Sequence, residues 1–227
     1  MLPPELRVLE NDVIACERCK RLRQYCVEIG EIKRRAYRDQ TYWTKPVPSF
    51  GDPAARLLII GLAPGAHGAN RTGRLFTGDR SGEFLYRALY ETGFASQASS
   101  VARGDGLRLK DCWITASVRC APPDNKPEPV EFARCRPFLE RELGLLRRTR
   151  AVVCLGKLAF DTYSSILKDA GRIQNRAPFR FEHGAVYPLE PILISSYHPS
   201  QQNTSTGRLT REMLRDVFET ARKAIDH

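Results

Sequence analysis

Three kinds of residue in this chain can do chemistry from where they stand. They are an imidazole at the end of an apolar run, an aromatic ring and a carboxylate inside a glycine-rich stretch, and two separated pairs of cysteines. His198 directly follows the run Pro191–Tyr197 and opens the segment His198-Pro-Ser-Gln-Gln-Asn203. A lone histidine is more often structural than catalytic, but one at the carboxyl end of a buried strand stands where open parallel sheets bind ligands. The stretch from Gly61 to Asp79 reads GLAPGAHGANRTGRLFTGD. Its glycines (61, 65, 68, 73 and 78) permit close backbone approach to a ligand. It matches neither G-x-x-x-x-G-K-S/T nor G-x-G-x-x-G, so it is not read as a nucleotide-cofactor loop. Pro64 and the aromatic Phe76 argue against a merely flexible surface loop. Phe76, Asp79 and His198 are expected around one cleft.

There are seven cysteines, Cys16, Cys19, Cys26, Cys112, Cys120, Cys135 and Cys154. An odd number without a secretory leader argues against a disulfide framework. Cys16-Glu17-Arg18-Cys19 is a C-x-x-C placed at the start of a basic helical stretch, and Cys120 and Cys135 bracket a proline-rich loop. Four thiolates can hold a 4Fe–4S cluster or a structural zinc ion. The long Cys120–Cys135 spacing is atypical of zinc, which usually takes two tight knuckles. Cys112 and Cys154 fall inside apolar runs and read as small buried residues. Cys26 is either a core residue or a rival fourth ligand.

The elements that must position these groups follow from periodicity. Short apolar runs at Arg56–Leu62, Asp111–Val118, Ala151–Leu155 and Pro191–Tyr197 read as buried parallel strands. Helical patterns at Ser81–Thr92, Pro129–Arg150, Lys157–Lys168 and Leu209–Ile225 alternate with them. The alternation predicts a doubly wound α/β sheet in one domain spanning 1–227. Residues 1–50 read as a helical extension, charged around Cys16–Arg38 and proline-rich at Lys45–Pro48.

Composition sets the partner. The formal charge is +10 with a pI near 9.5, which favours a polyanion such as nucleic acid. No apolar run approaches the roughly 20 residues of a membrane span, and the first ten residues lack a secretory apolar region. A cytoplasmic location, no membrane partner and a monomeric state are expected.

At the two loops and four cysteines the sequence resembles the uracil-DNA glycosylase superfamily, and within it the thermophile-type iron–sulfur family 5, or type B. The segments that carry the likeness are GLAPGAHGANRTGRLFTGD, HPSQQNTSTGRLT and Cys16, Cys19, Cys120 and Cys135. The resemblance implies an α/β/α sandwich around a four-stranded parallel sheet of order 2-1-3-4. It also implies a 4Fe–4S cluster with a structural role on those cysteines, zinc being the lesser alternative. Family 4 has an acidic residue where this chain has Leu62, and an asparagine that reads the base edge where it has Ala116. Losing that amide should relax base selectivity, as in the broader range of family 5.

The implied reaction is hydrolysis of the N-glycosidic bond of a deaminated base, uracil and also bases such as hypoxanthine, flipped out of DNA to leave an abasic site. Phe76 would stack on the base, backbone groups of Gly61, Leu62, Ala63, Gly65 and Ala66 would meet its edge, and Ala116 would flank it. His198 would steady the departing base anion. Asp79 would stabilise the cationic sugar or position water, or else simply cap the helix at Ser81–Thr92. Asn125, after Cys120, is a weaker catalytic candidate. Arg71, Asn203 and Arg208 would contact DNA, with Gln201–Arg208 either inserting into the duplex or lying as a solvated loop. No lysine stands where a Schiff base would form, so the activity should be monofunctional. Two rival readings are a non-catalytic nucleic-acid module stiffened by a cluster or zinc, and a hydrolase with a catalytic zinc.

Overall fold

Residues 2–226 are described by a computed structural model. The four apolar runs fold as β2 (Leu57–Gly61), β3 (Cys112–Ala116), β4 (Ala151–Leu155) and β6 (Ile192–Ser196). They are parallel neighbours in the order β3-β2-β4-β6, the expected 2-1-3-4. The sheet is nevertheless six-stranded. Antiparallel two-residue edges, β1 (Phe50–Gly51) on β3 and β5 (Val186–Tyr187) on β6, extend it at both sides. Pairs this short carry no readable alternation, so periodicity alone could not announce them.

Both faces of the sheet are covered, which is why its strands read as unbroken apolar runs. On one face Leu58, Ile60, Trp113, Val152 and Leu193 pack against α1 (Pro4–Ile14), α2 (Lys20–Ile32), α5 (Pro129–Leu145) and α6 (Lys157–Asp169). On the other, Leu57, Ile59, Ile114, Val153 and Ile194 meet α4 (Arg80–Glu91) and α8 (Arg211–Asp226). The N-terminal extension is helical, as read, but begins with a further helix ahead of the first C-x-x-C. Its helices are Pro4–Ile14 and Lys20–Ile32, and the first C-x-x-C lies in the turn between them, with Cys19 at the N-cap of α2. Leu6, Leu9, Val13 and Leu22 join the sheet's own apolar core, so the extension is part of the packing. The helix read to Arg150 stops at Leu145. Among the described residues no helix is long and apolar enough to cross a membrane.

One polar cluster is sealed inside this packing. Arg119, at 2% exposure, donates to Glu142 Oε2 at 2.7 Å and to Ser49 Oγ at 2.6 Å. Thr115 Oγ1 and Trp113 Nε1 donate to the same carboxylate at 2.5 and 2.9 Å. The cluster clamps β3 to α5 and leaves only the guanidinium Nε without a partner. Removing one member of a buried ion pair strands the other charge and costs about 3–5 kcal/mol. Glu142→Ala should lower unfolding free energy by about that amount, measured by denaturant titration. A loss no larger than that of an exposed carboxylate such as Glu140 would show the cluster to be dispensable.

Candidate active site

The carboxyl ends of β2 and β3 lie side by side, and those of β4 and β6 follow on the same side of the sheet. Gly61 ends β2 in register with Ala116, which ends β3. Above Gly61 lies Phe76: a methyl group on Gly61 would meet the ring edge at 2.9 Å. The Phe76 and His198 ring centroids are 5.8 Å apart, with planes inclined by 32°. Their chain separation is large, but their strands end on one side of the sheet. Gly156, immediately after β4 at φ +94°, makes room for the imidazole: a Cβ there would lie 3.2 Å from His198 Cβ. Gly156 was not foreseen, although a glycine closing an apolar strand was a readable signal.

Phe76 has φ +52°, a left-handed conformation that a bulky residue rarely adopts. Such strain costs about 1–3 kcal/mol and persists only where the surroundings impose it. Here Tyr86 Oη donates to the preceding Leu75 carbonyl at 3.0 Å. Gly82 lets α4 come against the Phe76 carbonyl, which a side chain there would strike at 1.9 Å.

His198 is half-buried by surface area yet enclosed by protein around its ring, the mark of a concave position. Burial pushes its imidazole from 6.5 down to about 4. It is therefore a neutral ring at neutral pH, able to donate from one nitrogen. The main chain carrying it is held in place: Asn203 Nδ2 donates to the His198 carbonyl at 2.9 Å, and Ser200 caps α7 (Gln201–Ser205) by accepting from the Asn203 N–H at 3.4 Å.

The other expected site residues divide. Leu62, Ala63, Gly65 and Ala66 follow β2 and are half-buried. Several carbonyls there are already used: Gly61 O accepts from Ser117 N at 3.0 Å, Leu62 O from Val118 N at 2.9 Å and Gly65 O from Asn70 N at 3.0 Å. Asp79 is the N-cap of α4, its Oδ1 accepting from Gly82 N at 2.9 Å. Its Oδ2 faces the Gly65–Gly68 turn, where only the lack of a Cβ leaves it space. Burial raises this carboxyl, against backbone hydrogen bonds from Gly82 and Ser81. Asn125 is exposed on a short 3-10 turn at φ +57° and makes no contact with Phe76 or His198 among the described residues.

Two residues expected to contact DNA are engaged within the protein. Arg71 is buried, with its guanidinium donating to His67 O at 2.8 Å, Gln40 Oε1 at 2.5 Å and Gly78 O at 2.7 Å, and stacked 3.9 Å over Tyr37. It binds the loop together and has no face for a phosphate. Asn203 turns its amide inward to His198. Arg208 is exposed, 4.5 Å over the Tyr197 ring. The segment after His198, expected as a loop, opens with the short helix α7.

The cysteine thiols gather where α2 begins and β3 ends. Cys19, Cys120 and Cys135 are buried, and Cys16 is half-buried against the same core. Cys135 is pushed up to about 11, first by burial and also by Cys19 and Cys16 nearby, while the Arg119 N–H donates to its sulfur at 3.4 Å. Cys120 is raised by the adjacent Cys26 thiol and by burial. Cys26 is itself fully buried, with its thiol toward the Ala121 carbonyl at 3.6 Å. Among the described residues no three His, Cys, Asp or Glu side chains are grouped tightly enough to hold a metal ion as they stand.

The fold and these residues together define an α/β/α protein with an aromatic ring and a neutral imidazole side by side at the mouth of a parallel sheet. The chain belongs to the uracil DNA glycosylase superfamily, whose family profile matches residues 48–222. It is 51% identical over 211 residues to a type-5 uracil-DNA glycosylase of Thermus thermophilus, covering 92% of this chain and 93% of that one. Identity to the type-5 enzyme of Mycobacterium leprae is 48% over 218 residues, covering 95% and 93%. To that of Pyrobaculum aerophilum it is 42% over 212 residues, covering 93% and 89%.

The depressed His198 value has a definite sign. Between 6.5 and about 4 the unfolded chain takes up a proton that the folded ring refuses, so this residue subtracts stability as pH falls through that window. In an NMR titration the His198 ring signals should remain those of neutral imidazole until pH approaches about 4. A midpoint at the ordinary 6.5 would contradict the enclosed pocket.

Proposed function

We propose that this protein hydrolyses the N-glycosidic bond of a deaminated base, uracil foremost and hypoxanthine among others, once that base has left the DNA stack. The observation that carries the reading is the pairing of Phe76 with His198 over Gly61 and Ala116. The target bond is inaccessible inside a duplex, so the nucleotide must be extruded. Phe76 then stacks on the base, worth about 1–3 kcal/mol. The neighbouring methyl of Ala116 offers no amide to read the base edge, which supports a range wider than uracil.

As the C1′–N bond breaks, its electron pair moves onto the base and positive charge builds on the sugar. Neutral His198 donates a hydrogen bond to the base carbonyl where negative charge collects, an effect commonly worth about 3–4 kcal/mol. Water adds its oxygen to C1′, its proton passes to the departing base, and the abasic site remains. Asp79 serves twice in this reading, its Oδ1 holding α4 and its Oδ2 facing the positive sugar from the Gly65–Gly68 turn. Arg208 contacts a phosphate. The enzyme works on cytoplasmic DNA as a monomer and lacks lyase activity.

The donor set supports a 4Fe–4S cluster on Cys16, Cys19, Cys120 and Cys135. Cys19, Cys120 and Cys135 are buried in one apolar core with Cys16 packed against it, and Arg23, Arg119 and Arg134 stand close enough to offset thiolate charge. Bound there, the cluster would join the α1–α2 turn to the end of β3 and to α5, a structural role in which the protein supplies burial and cationic neighbours.

Incubating the protein with a uracil-containing duplex, then with hot alkali, should break the strand at uracil, and a hypoxanthine duplex should break more slowly. His198→Ala should bind the uracil duplex but excise about 10²–10³-fold more slowly. No breakage with the wild type, or wild-type turnover in the variant, would overturn the mechanism. Protein purified without oxygen should be brown, absorb near 400 nm on the order expected of thiolate-bound iron, and lose iron in Cys135→Ala. Stoichiometric zinc in place of iron would refute the cluster.

A further inference from the structure

We propose that His183 is a positioning residue for His198, accepting the Tyr197 N–H from behind and so fixing the height of the His198 ring over the base pocket. The inference rests on the reading of His198 as the donor to the base.

β6 ends at Ser196, and the chain must then leave the sheet to present His198. The first N–H beyond the strand, that of Tyr197, has lost its ladder partner, and a buried donor without an acceptor is costly. His183 Nδ1 takes that bond at 3.2 Å and stands 3.5 Å from Ser196 Oγ. Its ring also stacks on the Tyr197 ring, with centroids 5.0 Å apart and planes 25° apart. Arg208 lies 4.5 Å over Tyr197 and Phe181 sits 6.1 Å away. The residue preceding His198 is therefore gripped through both its main chain and its side chain.

The grip is itself anchored. Gly184 N donates to Ser195 O at 2.8 Å, Ser195 N to Ala185 O at 3.0 Å, and Ser195 Oγ to Glu182 O at 2.5 Å. His183 thus rides on a turn fastened to β6, and its ring holds the Ser196–Tyr197 peptide, one residue ahead of His198. The bond needs a lone pair on Nδ1. Burial holds the imidazole below 6.5, and because Nδ1 of the neutral ring accepts the Tyr197 N–H, its hydrogen stands on Nε2. A group this exact in tautomer and stacking does more than fill space, since a displacement of about 1 Å at a reacting group can cost about a hundredfold in rate.

The test uses the intact protein and a uracil duplex under single-turnover conditions. His183→Phe keeps a stacking ring but removes the acceptor. His183→Asn returns an acceptor near the Nδ1 position without the ring. The excision rate of His183→Phe should fall between about tenfold and a hundredfold with the DNA dissociation constant unchanged, and His183→Asn should recover most of it. Rate loss in both variants alike, or a loss confined to folded fraction, would reduce His183 to a packing role. In the unaltered protein, nitrogen-15 spectra should show the His183 proton on Nε2, and the opposite tautomer would overturn the proposal without any variant. His198→Ala is measured beside them. If it excises normally, the base-side reading falls; if it is slow while His183→Phe is not, only the positioning role falls.

Discussion

The structure depends on one close approach. Two aromatic rings far apart in the chain, Phe76 and His198, meet at the mouth of the sheet because glycines stand beneath and beside them. Gly61 yields to the Phe76 edge and Gly156 to His198. A Cβ at either position would separate the rings, and the pocket would close or tilt. The parallel order β3-β2-β4-β6 supplies the rest, since it delivers both strand ends to the same side with Ala116 beside Gly61. Chemistry follows from this placement: enclosure removes water from His198, and loss of water keeps its ring neutral.

The four parallel strands and their order were legible because each is buried on both faces and shows as an uninterrupted apolar run. His198 stood out because it lies just past such a run, and Phe76 because it is the one phenylalanine of the glycine-rich stretch after β2. The two-residue edges were not, because so short a segment has no period. Arg71 is a basic residue in a polar loop and so reads as free to meet a phosphate, but three oxygen acceptors already surround its guanidinium. Asn203 likewise spends an amide hydrogen on the main chain of His198, a partner that no residue type announces. His183 carried no signal at all, because its partner is a backbone N–H, and a backbone N–H has no residue type to recognise.

Of the two readings the sequence left open for Asp79, the structure shows the helix cap. The cap is real and explains where α4 starts. It also directs the second carboxylate oxygen at the turn that frames the pocket. The sealed cluster of Arg119, Glu142, Trp113 and Thr115 plays a comparable part lower in the fold. It holds β3, whose end forms the floor, against α5, which carries Cys135, while the Arg119 N–H reaches that sulfur. Floor and thiol pocket thereby share one set of supports.

The left-handed backbone at Phe76 has a consequence for how this sequence can drift. Glycine there would relieve the backbone and let the chain settle lower in energy, but it would delete the shelf. Backbone preference and ring therefore pull in opposite directions at this one position, and the contacts of Tyr86 and Gly82 decide it for the ring.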